Sequence, residues 1–250
     1  MPANNLIVND QEFKTIAIMF SVGDRTHISD ITFPRLAQWA KKHGYSAALI
    51  KENYEYLDKT PHFNKLVSHK VMPGYDRYII VDDDLILKKS APAIQDIPQG
   101  FVGLCKDAVQ TLTEASHVKW TANTGFIVVE KAGLALLEEA YNAGVYPHNP
   151  GDGSNEGIWG PFDQASLNDV LFKRQKIYEL DHRWNSQAVI NFYSLKKNSW
   201  EKWQQSRLHR IFFYLSLLLS FSKNRKEIRK IYGLHMTMGV YPRFFSFIHK

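Results

Sequence analysis

One cluster in the chain has residue types and spacing suited to metal chemistry: Asp82-Asp83-Asp84, directly after the apolar run Tyr78-Ile79-Ile80-Val81. Three adjacent carboxylates repel one another, and burying them at a strand end is costly unless a cation accompanies them. In an extended chain Asp82 and Asp84 project to one side and Asp83 to the other, so two carboxylates can reach one ion. Oxygen ligands suit Mg²⁺ or Mn²⁺, and substrate phosphates commonly complete such sites. A bare acidic triplet is more often a solvated turn; the four apolar residues before it narrow that difference.

Positioning such a cluster needs strands that end together. Thr15 to Phe20 is a short apolar run that stops at Ser21-Val22-Gly23-Asp24, as a buried strand does before its loop. Helical spacing follows in Ile31 to His43, with Gly44 as a stop signal and Tyr45 to Ile50 as a second strand. Phe63 to Met72 reads as a helix closed by Pro73-Gly74, Tyr78 to Val81 as a third strand, and Gly100 to Cys105 and Gly125 to Val129 as two more. Lys131 to Ala143 is a further helix. The alternation predicts an α/β sheet, whose ligands sit beyond the carboxyl ends of its strands.

The chain has 250 residues, 44% of them hydrophobic and 22% charged, which predicts one domain with a real core and excludes disordered or low-complexity classes. A single cysteine, Cys105, excludes a disulfide framework and a Cys-rich zinc site, and Met1 to Asp10 lacks the pattern of a signal peptide. Both favour a cytosolic protein. The net charge of +6 is unevenly spread: residues 196–250 carry twelve Lys/Arg against Glu201 and Glu227, a local +10, which leaves residues 1–195 at −4. We therefore divide the chain into a core, 1–195, and a basic extension, 196–250. Within the extension, Ile211 to Phe221 is apolar and flanked by Arg207, Arg210, Lys223, Arg225, Lys226, Arg229 and Lys230. The run is too short to span a bilayer. It fits equally a helix lying in an anionic membrane interface and a buried helix with solvated flanks. The cations straddle an apolar block instead of interleaving with exposed aromatics, which argues against nucleic acid.

Later segments follow the acidic triplet in a recognisable order: Asn123-Thr124-Gly125, Asp163-Gln164-Ala165-Ser166-Leu167-Asn168, Trp184-Asn185, and His235 with Gly239 and Pro242. Together with Asp82-Asp83-Asp84 this set resembles the glycogenin and lipopolysaccharide galactosyltransferase family, over most of residues 15–243. The resemblance implies a GT-A, Rossmann-like nucleotide-sugar-binding domain with a mixed central sheet, carrying here a basic helical C-terminal extension. It implies that Asp82, Asp84 and His235 hold a Mn²⁺-like ion; an imidazole among carboxylates also tilts the choice toward Mn²⁺, with Mg²⁺ the alternative. It implies that Ser21, Asp24, Asp83, Lys65 and Asp107 contact the nucleotide sugar. Asn123 and Asp163 would bind sugar hydroxyls, with the Gln164 amide beside the anomeric carbon and Arg243 on phosphate. The pattern departs at Ala165, where an acid is expected, and at Gly239, one residue further from His235 than expected.

From the residues alone, Asp163 serves equally as a helix N-cap, Asp107 as a cap, Asn123 as a turn residue before Gly125, Lys65 as a solvated lysine and His235 as a core or surface histidine. The implied reaction moves a hexose from a nucleoside diphosphate sugar to a hydroxyl of a saccharide or lipid-linked saccharide, with retention. It expels a dianionic diphosphate, so metal and cations must meet the developing charge. Inversion would need a carboxylate base, for which Asp163 and Glu156 are available. Residues 146–161, rich in Gly, Pro and Asn, read as acceptor-facing. The competing classes are a metal-dependent phosphohydrolase or nuclease and a non-catalytic lipid-surface protein. The expected location is the cytoplasm, peripheral to the inner face of a membrane.

Overall fold

A computed structural model describes residues 5–7, 13–110, 117–144, 162–187, 190–191 and 206–237. Among these, seven strands form one sheet: β1 (Asn5–Ile7), β2 (Thr15–Phe20), β3 (Ser46–Ile50), β4 (Arg77–Asp82), β6 (Val102–Lys106), β7 (Ala122–Glu130) and β8 (Ile177–Glu179), in the order β1-β3-β2-β4-β7-β6-β8. A second, three-stranded sheet joins β5 (Leu85–Leu87), β10 (Gly233–His235) and β9 (Ser186–Gln187). The helices are α1 (Thr26–Lys42), α2 (Ser68–Val71), α3 (Leu134–Ala143), α4 (Asp163–Arg174), α5 (Arg207–Lys223) and α6 (Arg225–Ile228).

The apolar runs become strands because the large sheet is covered on both faces, which favours near-continuous hydrophobic sequence over alternation. Along β2, Ala17 and Met19 face one cluster with Leu36, Trp39, Val81 and Phe126. Ile16 and Ile18 face the other, with Leu66, Ile80, Ile127, Leu137, Leu167 and Leu171. The expected helix over 63–72 is instead a 3-10 turn, Pro61–Val67, followed by the single turn of α2. The helix expected from Lys131 likewise opens with a 3-10 turn, and a Cβ on Gly133 would come within 2.9 Å of Val129 and 3.0 Å of the Phe101 carbonyl.

Strand direction decides where loops meet. β2 runs parallel to β4 with Phe20 opposite Asp82, whereas β7 runs antiparallel to both β4 and β6. The carboxyl ends of β2, β4 and β6 therefore share one edge with the start of β7. The sheet is mixed, as the resemblance implies. The small sheet brings the distant tail to this edge: β10 pairs antiparallel with β5 so that His235 lies opposite Leu85, next to Asp84. The Met236 amide donates to the Asp84 carbonyl at 2.9 Å. Gly233 is required there, since a Cβ would lie 2.0 Å from the Trp184 carbonyl oxygen.

The apolar run of the extension lies in α5, capped by Ser206, whose hydroxyl accepts from the His209 amide. Phe213, Leu217 and Phe221 are buried, whereas Leu208, Ile211, Phe212, Leu215 and Leu219 form an exposed stripe at helical spacing. One face of the helix is therefore buried and the other exposed. Among the described residues no helix is long and apolar enough to cross a membrane.

Candidate active site

The three aspartates have three different partners. Asp83, 4% exposed, points away from its neighbours and receives a fork from Arg25, Nε at 2.6 Å and Nη2 at 2.5 Å, plus the Ser21 hydroxyl at 2.9 Å. Burial pushes its carboxyl above the usual range, against these donors. Asp83-Asp84 form a turn between β4 and β5, not the extended chain expected, and Asp82 and Asp84 both meet His235. Its Nε2 stands 3.0 Å from Asp84 Oδ1 and 3.8 Å from Asp82 Oδ2. Burial disfavours the charged ring, but the Asp84 carboxylate outweighs it and raises the imidazole; His235 in turn overcomes burial and holds Asp84 low.

Lys65 rises from the 3-10 turn into the same cluster. Its buried ammonium lies 3.0 Å from both Asp82 Oδ1 and Asp163 Oδ2 and donates to the Thr124 carbonyl and hydroxyl. Burial opposes its charge, yet the two carboxylates raise it above the ordinary lysine range. Asp163 opens α4 as its first helical residue, not its N-cap; that position belongs to Phe162, whose side chain caps nothing. Burial raises the Asp163 carboxyl, Lys65 opposing and Asp82 adding to the shift. Phe162 has φ 54°, which costs a non-glycine residue on the order of 1–3 kcal/mol. Its ring stacks on His62 with centroids 4.3 Å apart.

Behind Asp163, Gln164 belongs to an amide network. Its Nε2 donates to Asp107 Oδ2 at 3.1 Å, and its Oε1 accepts from Asn123 Nδ2 at 3.2 Å. Asn123 Nδ2 also reaches Asp107 at 2.9 Å, and its oxygen accepts from the Gly125 amide at 2.9 Å and Asn185 Nδ2 at 2.7 Å. Gln187 fastens the Asp107 loop by accepting from the Ala108 amide. Asn168, fully buried, pairs its amide with both backbone groups of Ala122 and so pins the start of α4 to β7.

The acidic triplet, Arg25 and Lys65 border a cavity of about 350 Å³ lined also by Phe20, Val22, Pro61 and His62. It lies at the carboxyl edge of β2 and β4, where open α/β sheets bind ligands. Four carboxylates, Asp82, Asp83, Asp84 and Asp163, share two permanent cations, Arg25 and Lys65. A dication fits that deficit. One ligand atom from each of Asp82, Asp84 and His235 lies within 4.8 Å of the others. Cis ligands about 2.1 Å from an octahedral ion stand about 3 Å apart, close to the His235–Asp84 spacing.

Of the residues singled out from sequence, Ser21, Lys65, Asp82, Asp83, Asp84, Asp107, Asn123, Asp163, Gln164 and His235 converge at this edge. Asp24 is exposed, and the loop residues that reach the acidic cluster are Ser21 and Arg25. Arg243, Gly239, Pro242 and the segment 146–161 with Glu156 lie outside the described residues. Sequence reasoning missed Arg25, His62 and Gln187, and it placed Asn168 in the Asp163–Asn168 motif without a role. Arg25 had a signal, a cation in the loop after a buried strand; His62 and Gln187 had none.

No protein-family model and no curated protein matches the chain by sequence. Solved structures do match by shape. A glycosyltransferase involved in the glycosylation of the major capsid of PBCV-1 is 13% identical with a TM-score of 0.58, covering 94% of this chain and 98% of its own. The fold is that of a GT-A glycosyltransferase. The WbbM bifunctional glycosyltransferase is also 13% identical, with a TM-score of 0.51. That match covers 91% of this chain and 46% of the other. On this fold, Asp82, Lys65, Asp163 and His235 gather at the carboxyl edge of the sheet, where open α/β sheets bind ligands.

Proposed function

We propose that the protein is a metal-dependent glycosyltransferase that moves a hexose from a nucleoside diphosphate sugar, UDP-linked by family resemblance, to a hydroxyl of a saccharide or lipid-linked saccharide. The observation that carries this reading is the meeting of Asp82, Asp84 and His235, from two distant segments, beside Lys65 and Asp163 on a GT-A scaffold.

The reaction breaks the bond between the anomeric carbon and the diphosphate oxygen and forms one to the acceptor oxygen, whose proton passes to a phosphate oxygen of the leaving group if configuration is retained. A bound Mn²⁺ or Mg²⁺ would supply positive charge to the departing diphosphate. Ser21 and Arg25 hold Asp83 at the wall facing the nucleotide, with Asp24 at the mouth of that loop. Lys65 keeps its proton and turns from Asp82 and Asp163 toward phosphate or sugar oxygens as the donor enters. Asp163 accepts from a sugar hydroxyl, and Gln164, held by Asp107 and Asn123, presents a rigid dipole beside the anomeric carbon. Arg243 belongs to the same reading as a phosphate contact, and 146–161 as the acceptor-facing segment.

The acceptor side fits a membrane surface. On α5, Leu208, Phe212 and Leu219 are each about two-thirds exposed, and Arg207, Arg210, Lys223, Arg225 and Lys226 are exposed around them. An apolar stripe with a cationic fringe suits an anionic interface. In this reading residues 196–250 are an extension that carries the core, 1–195, to its acceptor and returns His235 to the metal.

The test is incubation with Mn²⁺ and a panel of nucleotide sugars, reading nucleoside diphosphate release. Slow release from one donor is expected, abolished by Asp82→Ala or Asp84→Ala. Release from none of them, with or without candidate acceptors, would overturn the assignment.

A further inference from the structure

We propose that Asn185 and Asn123 form a positioning relay that fixes the tautomer of His235 and ties the metal side of the site to Gln164. The inference rests on the metal reading above but is carried by hydrogen-bond logic that can be followed from atoms whose roles admit no choice.

A backbone N–H can only donate, so the atom of Asn123 facing the Gly125 amide at 2.9 Å is its oxygen. The opposite end, its NH₂, then faces Asp107 Oδ2, an obligate acceptor when ionised, at 2.9 Å. With the Asn123 oxygen assigned, the Asn185 atom 2.7 Å from it must be the NH₂. The Asn185 oxygen therefore faces His235 Nδ1 at 2.8 Å, and that nitrogen must carry the proton. A neutral ring then has its lone pair on Nε2, the atom turned to Asp84 and Asp82. Outer partners of this kind commonly fix a metal-ligating histidine.

The same Asn123 donates to Gln164 Oε1, so one chain of amides holds the imidazole at one end and the Gln164 carboxamide at the other. Asn185 is 3% exposed and Asn123 7% exposed, so bulk water does not compete for these bonds. Neither residue needs to touch the donor for this role. Each acts through another side chain.

The test uses the full chain with Mn²⁺ alone, in two measurements. ¹⁵N NMR of the imidazole, at a pH where the ring is neutral, should show the Nδ1–H tautomer in the metal-free protein. Calorimetric Mn²⁺ titration should show Asn185→Leu losing about 10- to 100-fold in affinity. Asn185→Asp, whose carboxylate still accepts from Nδ1, should recover Mn²⁺ affinity while losing nucleotide-sugar turnover, because it can no longer donate to Asn123. An Nε2–H tautomer in the wild-type protein would overturn the relay outright, even if the leucine variant fails to fold or the wild type binds no Mn²⁺. A folded Asn185→Leu with wild-type affinity would overturn it too. Failure of wild-type Mn²⁺ binding alone would instead count against the glycosyltransferase reading.

Discussion

Lys65 shows how the site resolves its electrostatics residue by residue. A buried ammonium alone would shed its proton, yet this one sits between two carboxylates that keep it charged. The acidic triplet next to it survives burial by division: Asp83 goes to Arg25, Asp82 to Lys65, and Asp84 to His235. Gly125 is the permissive residue of this arrangement. A Cβ built there would lie 2.4 Å from His235 Cε1 and 2.9 Å from Asn123 Oδ1, so both the ring and the relay would have to move. Gly125→Ala is therefore expected to lower Mn²⁺ affinity at least about tenfold while the sheet stays folded. Calorimetry paired with circular dichroism checks it; wild-type affinity in a folded variant would mean that the ring position is not what the metal senses.

At the scale of elements, strand direction does most of the positioning. The order of β2, β4, β7 and β6 collects four loops on one edge, and the β5–β10 pairing sets His235 opposite Leu85 and so beside Asp84, far apart in sequence. The site residues on β4 and its loop were legible because a buried strand ending in three acids is locally unusual. The amide network was not: Asn168 and Asn185 stand out in sequence only as members of the motif order and Gln187 not at all, and tertiary pairing alone gives them partners. The helix expected at 63–72 is α-helical only over Ser68–Val71, and Lys65 enters the cluster from the 3-10 segment before it. For α5, apolar content could be read from sequence, but the division into a buried and an exposed stripe needed the fold. Replacing Leu208, Phe212, Leu215 and Leu219 together by serine should abolish flotation with vesicles rich in phosphatidylserine, while Phe213, Leu217 and Phe221 keep the helix seated. Equal flotation of this variant and the wild type would remove α5 from the acceptor side.

Across the whole molecule, the +6 net charge misleads until it is divided. The body is acidic and contains the Asp82–Asp84–His235 group, and the extension is basic around α5. Fold class could be read because the buried strands are continuous apolar runs, whereas sheet order could not, because nothing local says that β7 runs against β4. The same scaffold joins the carboxyl edge of the sheet, the Asp82–Asp84–His235 group and the exposed helix, and the proposed function requires that a nucleotide sugar bind at that edge through a divalent ion. Calorimetric titration of UDP-hexoses into the protein with Mn²⁺ tests this most directly. The expected result is one saturable site for at least one UDP-hexose, lost on chelation by EDTA and in Asp84→Ala; binding that persists unchanged under both, or its absence for every UDP-hexose with Mn²⁺ present, would contradict it.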